Sequence, residues 1–435
     1  LIVLTAPALA ADEAARRIAV GADPVWLSSP GTGPETAIGR DVYAADPRQV
    51  VRGSLAQLQA AWQAARDRWG ADVSAGPLPI GVGGLAYDLS RTWLPLPRPR
   101  ERPPWPELEF RFYDAVALRE AASGEMTILA CDGAAGARLA ARLACPAPAA
   151  PPPQVGAFVS RTSQQAHARA VERIQHYLRA GDAYQVNLAR ALVAPVTPGD
   201  PLWIAAALRA RAPAPHAIWM GRRSRPDAPV DSYVVGNSPE RFLALDASGG
   251  LQTQPIKGTR PRGEPGAPDQ ALRDALRASA KDRAEHVMIV DLERNDLGRV
   301  CEIGSVSVAD LLRVVALPTV FHLVSTVRGR LRPDVGLEAL LHATFPGGSI
   351  TGAPKRRAME IIDELEPLPR GLYTGATGWL GAHGDLDLAV AIRTATVSDG
   401  QLVLSVGGGI VIDSDPAAEW EETEVKARAF RSLCG

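Results

Sequence analysis

Lysine is so scarce in this chain that each one invites a chemical question. Of 47 basic residues in 435, only Lys257, Lys281, Lys355 and Lys426 are lysine, and the other 43 are arginine. Lys257 stands in QTQPIKGTR, directly before Gly258 at the end of a strand-like run. A partly desolvated lysine can shed its proton and become a nucleophile. Arginine, permanently charged, cannot. The plainer alternative for Lys257 is an ordinary solvated side chain. In AAEWEETEVK (417–426), Glu419 and Glu422 stand three apart and so share a helix face, where two carboxylates could hold a divalent cation. Alternatively, Glu422 pairs with Lys426 four residues on, as Glu285 could with Lys281. One carboxylate from each of two helices is the sparse ligand set that magnesium uses when substrate oxygens and water complete its shell. Arg393, amid the apolar LAVAIRTAT, calls for a bidentate anionic partner, either a ligand or an internal Asp or Glu. GGGIVIDSD (407–415) places three glycines at a strand end, the pattern of close backbone approach by a ligand or of a β-bulge.

Several function classes are disfavoured. The 48 acidic residues offset the 47 basic ones to a net charge of −1, without the basic excess of a nucleic-acid binder. GVGGLA (81–86) leads into a proline-rich stretch and not a helix, against a dinucleotide loop, and no phosphate-binding P-loop motif occurs. G-x-S-x-G and G-x-C-x-G elbows are absent as well, so the chain is not expected to hydrolyse glutamine itself. Cys131, Cys145, Cys301 and Cys434 form no C-x-x-C pair, and a reducing cytoplasm is the simplest setting. No apolar run approaches the roughly 18 residues that cross a bilayer, and the opening LIVLTAPALAAD reads as a first strand.

The elements that must position these residues follow from periodicity and punctuation. Helical patterns cover 55–69, 163–180, about 267–296, the stretch after TGAPK with Thr351 as its cap, and 416–433. Strand-like runs occupy 78–90, 107–118, 232–246, 250–260, 373–382, 386–398 and 401–413. LPLPRPRERPPWP (94–106) reads as a surface loop. CPAPAAPPPQV marks a Pro/Ala-rich connector at 146–155, dividing an N-terminal region, 1–145, from a catalytic region, 156–435. Strands and helices follow one another without regular βαβ alternation, which indicates α+β with antiparallel sheets.

GDAYQVNLAR, SPERF, PIKGTRPRG, AEHVMIVDLERNDLGRV, HLVSTVRG, FPGGSITGAPKRRAMEIIDELEP, AIRTATV and GGGIVIDSDP occur in this order across about 155–432. Together they closely resemble the chorismate-using enzymes related to anthranilate synthase component I, whereas 1–145 is similar only weakly. The resemblance implies large antiparallel sheets packed as a sandwich with flanking helices. Within the family, lysine in PIKGT marks aminodeoxychorismate synthases and alanine in PIAGT marks anthranilate synthases. The implied reaction joins chorismate and ammonia into 4-amino-4-deoxychorismate, toward p-aminobenzoate and folate. Lys257 would be the covalent nucleophile, Glu240 the general acid, and His322 a neighbour of the reacting face. Glu285, Glu419 and Glu422 would hold Mg2+. Arg393 and Tyr373 would bind the enolpyruvyl carboxylate with the backbone of Gly407, Gly408 and Gly409, while Gly258 and Thr259 border the ring. Gln185 stands where the isochorismate and salicylate branch carries a lysine base. The resemblance further implies a separate glutaminase subunit supplying ammonia. Two alternatives remain at this point: an anthranilate synthase component I, and a catalytically silent chorismate-binding or regulatory subunit.

Overall fold

The protein is described by a computed structural model covering residues 1–29, 39–70, 76–94, 96, 103–223, 225, 228–317 and 320–434. Most of the proline cluster at 94–106 lies outside the described residues. The expected α+β class is the class observed, and every strand pairing within the two large sheets is antiparallel. The larger sheet runs from its edge strand Ile2–Ala6 through Met126–Ala130, Ala115–Glu120, Arg40–Ala44, Val25–Ser28, His216–Arg222, Ser232–Ser238, Thr394–Ser398, Gln401–Ile410 and Gln185–Pro195 to the short Gly352–Ala353. The smaller runs from Ile256–Pro261 through Val320–Arg330, Gly250–Gln254, Arg241–Leu245, Leu386–Val390, Ala376–Gly381 and Pro79–Leu85 to Leu108–Phe112 and Gln49–Val51. Strands from either side of the segment 146–155 enter both sheets.

The strand pleat explains how one sheet serves two cores. Val25 and Leu27 join the cluster shared with the smaller sheet, whereas Trp26 between them joins the cluster on the opposite face. His216–Arg222 does the same, with Ile218 and Met220 on one face and Trp219 on the other. Both faces are covered, so these strands read as continuous apolar runs and not as alternating ones. Helix Leu55–Trp69 matches its periodicity: Leu55, Leu58, Ala61, Trp62, Ala65 and Trp69 are buried. Ser54 and Gln57 form a capping box at its start, and Gly70 ends it in the left-handed region at φ 50°.

Several local expectations are corrected. The stretch 267–296 is two helices, Ala267–Ala278 and Ala280–Gly298, broken at Ser279, whose side chain caps the second by accepting from Asp282 N. Thr351 caps nothing; its hydroxyl donates to Gly347 O, and helix Lys355–Leu365 starts at Pro354 without a side-chain cap. The runs 232–246 and 386–398 each split across both sheets. Chain passes from the larger to the smaller sheet between Ser238 and Arg241, and back between Val390 and Thr394. No helix among the described residues is long and apolar enough to cross a membrane.

Candidate active site

The two crossovers lie side by side, tied by Val390 N donating to Glu240 O, Asn237 N to Arg393 O, and the Ser238 hydroxyl to Val390 O. Each carries one charged candidate residue, Glu240 and Arg393. Arg393 therefore lies between strands, in the left-handed region at φ 49° and not inside a continuous strand. A non-glycine residue held there persists only where its surroundings enforce it, and such strain concentrates at functional sites. Its guanidinium makes no hydrogen bond or ion pair with any described residue, so the internal carboxylate partner allowed by the sequence is not found. The third entry to this junction is Tyr373, held beside the return crossover by Thr374 N donating to Ala391 O and Ala391 N to Gly375 O.

Lys257 is the second residue of strand Ile256–Pro261, not its end. A bulge at Gly258, φ 68°, shifts the pairing register between Lys257 and Thr259. Glycine is needed there: a methyl on Gly258 would lie 2.9 Å from Leu276 Cδ1 in addition to the strained φ. Lys257 Nζ donates to the Ser349 backbone carbonyl at 3.1 Å. Burial, and secondly the like charge of Lys426, hold its ammonium pKa below the usual lysine value, against opposing pulls from Glu240, Glu285 and Glu422. Glu240 is buried, which raises its carboxyl pKa, and Oε1 accepts from Ile256 N at 3.4 Å. The pair is thus displaced toward a neutral amine facing a neutral acid. His322, on the neighbouring strand Val320–Arg330, exchanges a hydrogen bond with Thr259 through Nδ1 at 3.0 Å. Burial, with Arg393 nearby, pushes its pKa down to about 3, leaving a neutral imidazole whose buried Nε2 has no partner.

Glu419 and Glu422, on helix Pro416–Arg431, converge on Gly408: a methyl there would lie 3.2 Å from Glu422 Oε1 and 3.3 Å from Glu419 Oε2. Burial raises the pKa values of Glu285 and Glu419; the charge of Glu419 adds to the first and that of Glu422 to the second. Glu422 is lowered, chiefly by Lys426. Both helix ion pairs foreseen as alternatives exist, Lys426 to Glu422 at 2.6 Å and Lys281 to Glu285 at 3.9 Å. Among the described residues no three His, Cys, Asp or Glu side chains are close enough to hold a metal by themselves. Glu285 and Glu419 nevertheless belong to one shared acidic patch, with Lys281 acting on both, and their oxygens suit an oxygen-preferring cation whose shell is completed by substrate and water.

The glycine run packs tightly for two different reasons. A methyl on Gly407 would meet Leu188 O at 2.4 Å on the paired strand, while one on Gly409 would meet Gln185 Nε2 at 2.7 Å. Gln185 is fully buried, yet neither atom of its amide has a hydrogen-bond partner, and Asn187 Oδ1 is likewise unpaired. Buried polar groups rarely stay unpaired without a ligand or function. Sequence reasoning missed Ser349 as the lysine's acceptor, although it lies inside FPGGSITGAPK. Nor did it foresee that Lys426, read as the helix partner of Glu422, also donates from Nζ to Gly407 O at 2.7 Å. Lys355 is engaged by protein groups, donating to Asp296 Oδ2 at 2.6 Å and to Thr344 O at 2.9 Å.

The two-sheet architecture is shared with solved structures. The family described as chorismate binding enzyme matches residues 22–432, and this chain belongs to it. It is similar to aminodeoxychorismate synthase component 1 of Klebsiella aerogenes, 42% identical over 344 residues, covering 79% of this chain and 74% of that protein. It is also similar to anthranilate synthase component 1 of Acinetobacter calcoaceticus, 42% identical over 272 residues, covering 62% of this chain but only 54% of that one. The crystal structure of anthranilate synthase component I from Streptococcus pneumoniae superposes with a TM-score of 0.76 at 28% identity, covering 90% of this chain and 92% of that one.

Proposed function

We propose that the chain converts chorismate and ammonia to 4-amino-4-deoxychorismate with Mg2+ bound, the reaction of an aminodeoxychorismate synthase component I. The observation that carries this reading is Lys257, an amine biased toward neutrality and held beside a carboxyl biased the same way. The neutral Lys257 amine bonds to C2 of the ring while the 4-hydroxyl departs as water, taking its proton from Glu240. Ammonia then bonds at C4, the ring electrons return, and the C2–N bond breaks to release the lysine amine. Only a group that is neutral as a nucleophile and stable as a leaving amine serves both steps. Arg393 and Tyr373, with the backbone of the glycine run, bind the enolpyruvyl carboxylate, and Gly258, Thr259 and His322 border the ring. Glu285, Glu419 and Glu422 would hold Mg2+, which when bound neutralises the ring carboxylate and draws electron density from the ring. Ammonia comes from a glutaminase subunit, in keeping with the absence of a nucleophile elbow.

Mass spectrometry of products formed from chorismate, ammonium and Mg2+ tests the assignment. The expected product is 4-amino-4-deoxychorismate, and Lys257→Ala loses most of the activity. Pyruvate and fluorescent anthranilate as main products overturn the assignment in favour of an anthranilate synthase; a fully active Lys257→Ala chain overturns the covalent step.

A further inference from the structure

Helix Pro416–Arg431 carries two of the three carboxylates assigned to Mg2+, and its rotation about its own axis decides where they point. With side-chain tips about 6 Å from a helix axis, a rotation of about 20° moves a carboxylate by roughly 2 Å, a full Mg–O bond length. Something must hold that rotation. Ser414 donates to Glu419 Oε1 at 2.6 Å, and Gln175 Nε2 donates to Ile412 O and Ser414 O at 3.0 and 2.7 Å, but these fix the entry to the helix and not its body.

Further along the body Lys426 Nζ donates to Gly407 O and Ala427 and Phe430 are buried, while the turns that carry the carboxylates are gripped by Arg190, on strand Gln185–Pro195. Its guanidinium lies 3.6 Å from the centre of the Trp420 ring, Nε donates to Thr423 Oγ1 at 2.8 Å, and Nη2 pairs with Glu424. His167 also meets the Trp420 ring edge-on at 5.5 Å. Trp420, Thr423 and Glu424 follow and interleave with Glu419 and Glu422, and at about 100° per residue they form an adjoining side of the same two turns. Arg190 itself is buried, 2% exposed, with Nη1 unpaired, a costly arrangement for a charge whose partners all lie on this one helix. The strand that carries it also pairs with the glycine run, Arg190 opposite Val406 and Ala189 opposite Gly407.

We propose that Arg190 is a positioning residue for the cation site: its stack on Trp420 sets the helix rotation that brings Glu419 and Glu422 to Gly408. This rests on the magnesium reading above. The planar guanidinium is essential to it, because an ammonium can neither stack flat on the indole nor reach Thr423 and Glu424 together.

Titration calorimetry of Mg2+ into the full chain, with chorismate present and ammonia absent, tests it. Groups that orient metal ligands typically change affinity 10–100-fold when removed. The expected result is about tenfold or weaker Mg2+ binding for both Arg190→Met and Arg190→Lys. Arg111→Met, at a fully buried arginine remote from this helix, should stay within about twofold of the parent. If Arg190→Met fails to fold, Trp420→Phe, which keeps the apolar contact and shrinks the stacking face, should still weaken Mg2+. Parental affinity in Arg190→Lys, or an equal loss in Arg111→Met, overturns the proposal while leaving the magnesium reading intact. A parent chain that binds no Mg2+ overturns that reading and this one with it.

Discussion

Gly408→Ala is expected to separate the glycine run's role at the site from its role in the sheet. The added methyl would meet Glu422 Oε1 at 3.2 Å and Glu419 Oε2 at 3.3 Å, and no backbone atom is among these closest neighbours. Both are ends of flexible side chains, so the fold accommodates the methyl and stability changes by less than about 1 kcal/mol. The carboxylates must give way by a few tenths of an ångström, and they are the groups assigned to Mg2+, so its affinity should fall about 10–100-fold. Gly407→Ala is the contrasting perturbation. Its methyl would lie 2.4 Å from Leu188 O and 2.9 Å from Ala189 Cα, backbone atoms of the paired strand that cannot yield singly. Overpacking of that kind typically costs about 1–3 kcal/mol, and occasionally more. The assay pairs thermal melting with the Mg2+ concentration giving half-maximal chorismate turnover. Gly408→Ala should melt near the parent and need far more Mg2+, whereas Gly407→Ala should melt clearly lower. The reasoning is refuted if the two variants melt equally low, or if Gly408→Ala keeps the parental Mg2+ requirement within about twofold.

Two further outcomes concern pH. Glu293 is buried with Thr253 Oγ1 donating to it at 2.8 Å, and burial pushes its carboxyl up to about 8 from an unfolded value of 4.5. Unfolding therefore releases a proton between these values, and stability present below the lower one is lost as pH rises through the upper one, by roughly 4–5 kcal/mol on full titration. Glu293→Gln should consequently gain stability over the parent in chemical denaturation at pH 8.5 but not at pH 4.5, and an equal difference at both pH values would contradict this. Conversely, burial depresses His322 to about 3 and His286 and His167 to about 4. Their contribution is present above the unfolded histidine value near 6.5 and is lost as pH falls toward 4, so the melting temperature should decline steeply across that window. A flat profile from pH 7 to 5 would show that these imidazoles are not held neutral.

Local chemistry was legible wherever it depends on neighbours in the chain. Helix Leu55–Trp69 declares itself through a capping box, an apolar face and a terminal glycine, all within 17 residues, Ser54 to Gly70. The paired spacing of Glu419, Glu422 and Lys426 is likewise a property of one helix, and Lys257 stood out because the chain has so little lysine. The apolar runs 232–246 and 386–398 looked continuous because strands covered on both faces carry no alternation to mark where they change sheets.

Composition and spacing by themselves determined which side chains could do chemistry: an activatable lysine, spaced carboxylates, an arginine in search of an anion and a glycine run. Tertiary structure alone decided that Glu240 and Arg393 sit on adjacent crossovers between the sheets, and that burial, seconded by the charge of Lys426, depresses Lys257. It also decided that Arg393 makes no ion pair among the described residues and that Gln185 faces Gly409 with its amide unpaired. These depend on pairing between strands more than a hundred residues apart. Desolvation and like-charge proximity, which set the protonation of the site, exist only once those strands have met.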